Sequence, residues 1–286
     1  MIRLGLIGCP IDHSLSPALH NAALRACSLE GIYSLFPVKQ DDIKGLKSIL
    51  DQVCTSELTG LNITIPHKQK TIQFLDELTS PARAIGAVNT IYLKEGKLIG
   101  DNTDAPGFLT DLNNFLQEGW TPGGRRIGLS DKFALILGAG GSSRAVAYAL
   151  TIAGWTVTVA ARHIEQAKEF ALSHMHIIHY DAREIGAWLS KINLIVNTTP
   201  VGMIPNTNVS PWIEGLAFPI EACLYDLIYN PRETLLVKQA RNAGLRARTG
   251  TGMLVEQAAL AFQIWTGRNI QRSIMFDAIN RSDLLL

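Results

Sequence analysis

Lys68 closes the run Asn62-Ile63-Thr64-Ile65-Pro66-His67-Lys68. In an extended chain Asn62 and Thr64, two residues apart, point to one face. The lysine follows where the chain leaves the strand. A polar pair and a lysine at a strand's C-terminal end belong to the part of an α/β sheet that meets ligand. Downstream, Asn89-Thr90 and Asp101-Asn102-Thr103-Asp104 add polar groups around an otherwise apolar hairpin. Singly, each of these residues also reads as a turn residue or a surface charge.

A second group is the glycine-rich run Gly138-Ala139-Gly140-Gly141-Ser142-Ser143, which follows an apolar strand and opens a helix. Such glycines permit a tight turn and close backbone approach to a pyrophosphate, which rests on the helix N-terminus. Ser143 replaces the third glycine of the dinucleotide pattern, and a plain strand-to-helix turn is the competing reading. The next strand ends in Ala160-Ala161-Arg162-His163 with no acid to accept a ribose 2′-hydroxyl. Arg162 therefore points to the 2′-phosphate of NADP, against the alternative of a solvated surface arginine. In Ser14-Leu15-Ser16-Pro17, Ser16 is placed as a helix N-cap and Pro17 as the first helical residue. Two hydroxyls there would cradle a carboxylate, although on this piece alone plain capping is the favoured reading.

The elements that must position these groups alternate. Strands are expected at residues 2–7, 33–38 and 61–65, with helices at 17–27, 43–50 and 67–75. A hairpin follows at 87–93 and 97–99 around Glu95-Gly96, then a helix at 106–116 and loop chemistry from Trp120 to Arg126. A second α/β unit begins at Phe133, with strands at 133–137, 156–160, 194–197 and 223–227. A helix is expected at 233–243, and Leu254, Ala258, Ala261, Phe262 and Trp265 have the spacing of a long helix over 252–266.

Composition narrows the partners. The chain has 286 residues, 47% hydrophobic and 18% charged, with a formal net charge of +1. That apolar content rules out global disorder, and the length allows two domains. Near-balanced charge argues against a nucleic-acid binder and leaves small molecules. Cys9, Cys27, Cys54 and Cys223 form no CxxC pair and read as free thiols of a reducing cytosol. The uncharged stretch 145–161 turns β-branched after Gly154, so helix-turn-strand is expected instead of a membrane span. His174 and His176 would share a strand face, with His179 and Asp181 nearby. No acid or thiolate lies between the histidines, and no metal is expected.

Taken together, eight ordered blocks show that the sequence resembles the shikimate dehydrogenase family across nearly its whole length. They are Ser14–Pro17, Gly60–Lys68, Gly86–Thr90, Gly100–Asp104, Gly138–Gly141, Asn197–Pro200, Tyr225–Pro231 and Gly252–Ala258. The resemblance implies reversible reduction of 3-dehydroshikimate by NADPH, in the shikimate pathway of aromatic amino acid biosynthesis. It implies Lys68 and Asp104 as the catalytic pair. Ser14, Ser16, Asn62, Thr64, Asn89, Tyr229 and Gln257 would then line the substrate pocket. Gly138, Ala139, Gly140, Gly141, Ser142, Arg162, Thr198, Leu227, Gly252 and Met253 would lie along NADP. Either a monomer or a homodimer is compatible with the family. The departures are His67 where an aromatic such as Phe is common, Ala161 where Asn often precedes the arginine, and Thr251 where Leu is usual.

The chemistry needs a hydride from the cofactor and a proton at the same substrate oxygen. Burial would lower the pKa of Lys68 and a nearby Asp104 would raise it. Lys68 is thus either the proton carrier or chiefly a stabiliser of developing alkoxide charge. Competing readings are an NAD-preferring quinate/shikimate dehydrogenase and a non-catalytic NADP-binding regulatory paralogue. The expected architecture is two α/β domains: an N-terminal substrate-binding domain with a mainly parallel sheet, 1–107, and a Rossmann-like NADP-binding domain, 108–251. C-terminal helices, 252–286, return to the first domain, and catalysis is expected in the cleft between the two.

Overall fold

A computed structural model describes residues 1–118, 132–172 and 174–282. The loop expected from Trp120 to Arg126 lies outside them. Two compact units emerge, Met1–Gly107 with Val255–Leu286, and Phe108–Leu254.

In the first unit β1 (Ile2–Gly8), α1 (Ser16–Ala26), β2 (Gly31–Pro37), α2 (Ile43–Cys54) and β3 (Gly60–Ile63) follow one another, with β2 and β3 pairing parallel on either side of β1. Asp42 accepts the Gly45 N–H at 2.8 Å and starts α2, whose Leu46, Leu50 and Val53 are buried at helical spacing. They pack with Ile7, Leu61, Ile63 and Ile91 on one face of the sheet. After β4 (Glu77–Leu78) and α3 (Ser80–Ile85), β5 (Thr90–Lys94) and β6 (Lys97–Asp101) form an antiparallel hairpin. Glu95 and Gly96 both have positive φ, 52° and 76°, the geometry of a tight two-residue turn. The sheet runs β2-β1-β3-β5-β6-β4, with β3–β5 and β5–β6 antiparallel and the other pairs parallel. α4 (Asp104–Gln117) leaves this unit.

Three local expectations are corrected here. Strand β3 stops at Ile63, because Pro66 has no N–H with which to extend a ladder, although Thr64 N–H still donates to Ile7 O at 2.9 Å. The helix expected at 67–75 is only a 3₁₀ turn, Lys70–Phe74. Leu75 is already extended, and Asp76 N–H donates to Leu98 O at 3.0 Å on the way into β4. Ser16 is not the N-cap of α1. Leu15 holds that position without a side-chain cap bond, and Ser16 N–H donates to Ser14 Oγ at 3.2 Å. Pro17 has no N–H to satisfy, so the helix can begin one residue earlier than its cap chemistry suggests.

In the second unit, β7 (Phe133–Leu137), α5 (Gly141–Ile152), β8 (Thr156–Ala161), α6 (Ile164–Lys168), β9 (His176–His179), α7 (Ala182–Gly186), β10 (Leu194–Asn197), β11 (Cys223–Asp226), α8 (Leu235–Asn242) and β12 (Arg246–Thr249) alternate. All pairs are parallel, in the order β12-β11-β10-β7-β8-β9. This is the doubly wound order, whose direction of winding reverses between β7 and β10. The stretch 145–161 is the end of α5, a turn at Gly154 (φ 79°) and β8. Among the described residues no helix is long and apolar enough to cross a membrane. His174 precedes β9, so it does not share a strand face with His176, whose ring packs on Trp188 at 4.5 Å.

α9 (Thr251–Thr266) and α10 (Arg272–Ser282) complete the chain, and the larger part of α9 belongs to the first unit. There Trp265 Nε1 donates to Ile91 O at 3.0 Å, and its ring fills the space that any side chain at Gly60 would need.

Candidate active site

The turn after β3 is tied down from two sides. His67 is buried and its Nε2–H donates to Val38 O at 2.8 Å, while Lys68 O accepts the Val88 N–H at 2.8 Å. The buried histidine that departs from the expected aromatic therefore adds an anchor to Val38, the residue after β2. From this fixed backbone Lys68 Nζ donates to Asp104 Oδ2 at 2.6 Å, with 12% and 7% of the two side chains exposed.

Asp104 stands in the first turn of α4, where a carboxylate is favoured by the helix dipole. Asn89 Nδ2 donates to its other oxygen at 2.8 Å, and also lies 2.9 Å from Thr103 Oγ1 and 3.4 Å from Gln257 Oε1. Asn89 Oδ1 accepts from Thr103 N–H at 2.7 Å and Thr90 Oγ1 at 3.0 Å. A buried ion pair survives desolvation only when its remaining lone pairs and protons find partners, and Asn89 supplies one. Asn62 is turned inward: Oδ1 accepts from Tyr33 Oη at 2.8 Å, and Nδ2 donates to Asn89 O at 3.0 Å and Thr90 Oγ1 at 3.3 Å.

The structure therefore brings Lys68, Asp104, Asn89, Asn62 and Gln257 together in the first unit. Thr64 is nearby at the strand end and packs on Gly8, next to the segment that carries Ser14 and Ser16. No bond among those described links either serine to Lys68. Tyr229 lies in the second unit, half-buried after β11.

At the C-terminal ends of β7 and β10, Gly138 (φ 107°) faces Thr198. A Cβ on Gly138 would come within 2.9 Å of Thr198 Oγ1, which itself donates to Leu137 O at 2.7 Å. Above Gly140 a Cβ would meet nothing within 4 Å, and α5 starts without a side-chain cap. Ser143 is buried and donates to Gly138 O at 2.7 Å, which explains the absence of a third glycine: the hydroxyl braces the turn from inside. Ala139, Gly141 and Ser142 complete the loop, and Arg162 is exposed just beyond β8.

Two polar clusters hold the remaining loops. Buried Asp226 accepts from Asn197 Nδ2 at 2.9 Å, Ile228 N–H at 3.1 Å and Thr234 Oγ1 at 2.6 Å. Burial raises its pKa, and those donors oppose the shift. Leu227 N–H donates to Asn197 O at 3.0 Å, and its carbonyl leaves room only for glycine at Gly250. Tyr225 Oη donates to Asp111 Oδ2 at 2.6 Å, and Arg248 Nη1 to Asp111 Oδ1 at 2.9 Å. Burial and then Asp111 push the Tyr225 phenol well above its usual range. Asp111 also packs against Gly252, so a side chain there would strike the carboxylate, and Met253 follows as a buried residue.

Residues 6–91 match the shikimate dehydrogenase substrate-binding domain, and residues 250–279 match the shikimate 5′-dehydrogenase C-terminal domain. A shikimate dehydrogenase (NADP⁺) of Methanococcus maripaludis is 40% identical over 97% of this chain and 95% of its own. The chain belongs to the shikimate dehydrogenase family. A second relative of that name, from Carboxydothermus hydrogenoformans, is 39% identical over 97% of this chain and 96% of its own. The crystal structure of the Thermus thermophilus shikimate dehydrogenase in complex with NADP(H) and shikimate is 37% identical. It superposes with a TM-score of 0.83 over 98% of this chain and 99% of that one.

For this shikimate dehydrogenase family member, reading the sequence missed Tyr33, Asp111, Asp226 and Arg248. Each acts on a neighbour far along the chain, and no local spacing marks such pairs. His20 left a faint signal, a polar residue among the buried Leu19, Ala23 and Leu24 of α1.

Proposed function

We propose that this chain is an NADP-dependent oxidoreductase of CH–OH groups that reduces 3-dehydroshikimate to shikimate, reversibly, on the route to aromatic amino acids. The observation that carries the reading is the Lys68–Asp104 pair at 2.6 Å. In this reading residues 1–107 and the helices from 252 hold substrate, and 108–251 hold NADP.

The residues present fit that cofactor. Gly138 takes a backbone conformation that L side chains rarely adopt, and the space above Gly140 is open at the uncapped start of α5. Backbone N–H groups there suit a pyrophosphate, and exposed Arg162 suits a 2′-phosphate. Thr198, Leu227, Gly252 and Met253 would lie along the cofactor. When bound, the nicotinamide supplies or accepts the hydride.

The chain's own residues handle the rest. In the reducing direction Lys68 Nζ gives a proton to the carbonyl oxygen as it becomes a hydroxyl, and in the oxidising direction it takes that proton back. Asp104 accepts from Lys68 and aims it, and Asn89 keeps the carboxylate from turning. Ser14, Ser16, Thr64, Asn89, Gln257 and Tyr229 orient the substrate's carboxylate and hydroxyls, and Asn62 supports them from behind. The cysteines Cys9, Cys27, Cys54 and Cys223 are free, in keeping with a reducing cytoplasm, and the working unit is a monomer or a homodimer.

The test is a matrix of steady-state rates for shikimate and quinate against NADP and NAD. Shikimate with NADP is expected to have the highest kcat/KM. A preference for NAD or for quinate would assign the chain to the quinate/shikimate branch, and no turnover with tight NADP binding would make it a regulatory paralogue.

A further inference from the structure

Two adjacent residues of α1 hold Tyr33, Asn21 by its backbone and His20 by its ring. Asn21 Oδ1 accepts the Tyr33 N–H at 2.9 Å and its Nδ2 donates to Tyr33 O at 3.4 Å. His20 lies flat on the phenol ring, with centroids 4.3 Å apart and planes 4° from parallel. His20 is fully buried, and the polar side chain its ring meets is that of Asn62. Burial lowers its pKa to about 3, and Asn62 opposes this only in part, so the imidazole stacks as a neutral ring. At least one ring nitrogen of this buried imidazole is left without a partner, which is costly, and a leucine would serve α1 better if apolar packing were all that mattered. What the flat ring adds is a fixed plane for Tyr33.

The phenol so held controls an amide. A primary amide offers donors on one side and an acceptor on the other, and turning it over exchanges them. Asn62 points its nitrogen at two acceptors, Asn89 O and Thr90 Oγ1, and its oxygen at the Tyr33 hydroxyl. Removing the hydroxyl removes the donor that stabilises this orientation. Thr90 and Asn89 then pass the constraint on, through Thr90 Oγ1 to Asn89 Oδ1 at 3.0 Å and Asn89 Nδ2 to Asp104 Oδ1 at 2.8 Å.

We propose that Tyr33 is a positioning residue for the Lys68–Asp104 pair, acting through Asn62 and Asn89 without touching substrate. This rests on the reading of Lys68 and Asp104 as the reacting pair. The experiment measures shikimate oxidation by NADP, NADP affinity and Tm for Tyr33→Phe, Asn62→Ala, the double variant, Lys68→Ala and a control, Leu50→Val. Leu50 is a buried core residue of α2 and bonds to none of this network. Tyr33→Phe is expected to lower kcat about 10-fold with the shikimate KM within about twofold and NADP affinity unchanged, an effect one hydrogen bond can carry. The double variant is expected to be no slower than Asn62→Ala alone, and Leu50→Val to lose Tm but keep kcat. An unchanged kcat in Tyr33→Phe, additive losses in the double variant, or an equal kcat loss in Leu50→Val would overturn the proposal. Near-normal turnover in Lys68→Ala would instead overturn the reading of the pair, and this proposal with it.

Discussion

Lys68 and Asp104, 36 residues apart in the chain, meet through a 2.6 Å hydrogen bond between side chains that are both almost wholly withdrawn from solvent. Such a pair is weak evidence for stability, because desolvation offsets much of the attraction. Its value lies in holding an ammonium group at one place with one orientation.

Asp104→Asn tests that role. The amide keeps the size of the carboxylate and loses its charge, so Lys68 loses its aim. Steady-state kinetics should show kcat for shikimate oxidation reduced about 100-fold, the scale of a misplaced proton-transfer group. NADP affinity, measured by fluorescence titration, should stay within about twofold. An unchanged kcat would remove Asp104 from the reaction.

Arg162→Ala addresses cofactor choice. If Arg162 pairs with the 2′-phosphate, kcat/KM for NADP should fall about 10- to 100-fold with that for NAD unchanged. Equal losses with both cofactors would point to a structural role for the arginine.

Gly252→Ala addresses the turn braced by Asp111. The new methyl group would strike the carboxylate that Tyr225 and Arg248 hold in place. Overpacking of this kind is expected to cost about 1–3 kcal/mol in urea unfolding and to weaken NADP binding more than 10-fold. Stability and affinity like the unaltered protein's would mean that the turn relaxes freely.

His20 makes stability depend on pH. Its folded pKa, about 3, lies below the ordinary imidazole value of 6.5, so between these values the unfolded chain binds a proton that the folded chain does not. This contribution is complete above pH 6.5 and lost as pH falls. Between pH 7 and pH 5 it should remove about 2 kcal/mol of unfolding free energy. His20→Phe should flatten the urea-unfolding profile over that window by about the same amount. Parallel profiles for the two proteins would show that the imidazole titrates normally.

How much of this was legible beforehand depended on whether a feature repeats locally. β1, α2, β7 and α5 carry their own apolar periods and turn glycines, and the hairpin at Glu95-Gly96 carries its turn chemistry. β12, with Arg246 and Arg248 on an edge strand, has no such period, and β4 is two residues long. The segment after His67 reads as helical in sequence because the partner that draws Asp76 into an extended chain, Leu98, is remote in sequence. Lys68, Asp104 and the loop at Gly138 showed as motifs. Tyr33, Asn21 and His20 did not, because what they do is defined only by the residues they meet across the fold.

The most direct test is Lys68→Ala in steady-state oxidation of shikimate by NADP. If Lys68 carries the proton, kcat should fall by about 10²–10⁴-fold with the KM for shikimate within a few-fold, since the lysine would act mainly in the transition state. A variant that turns over at close to the original rate would contradict the account.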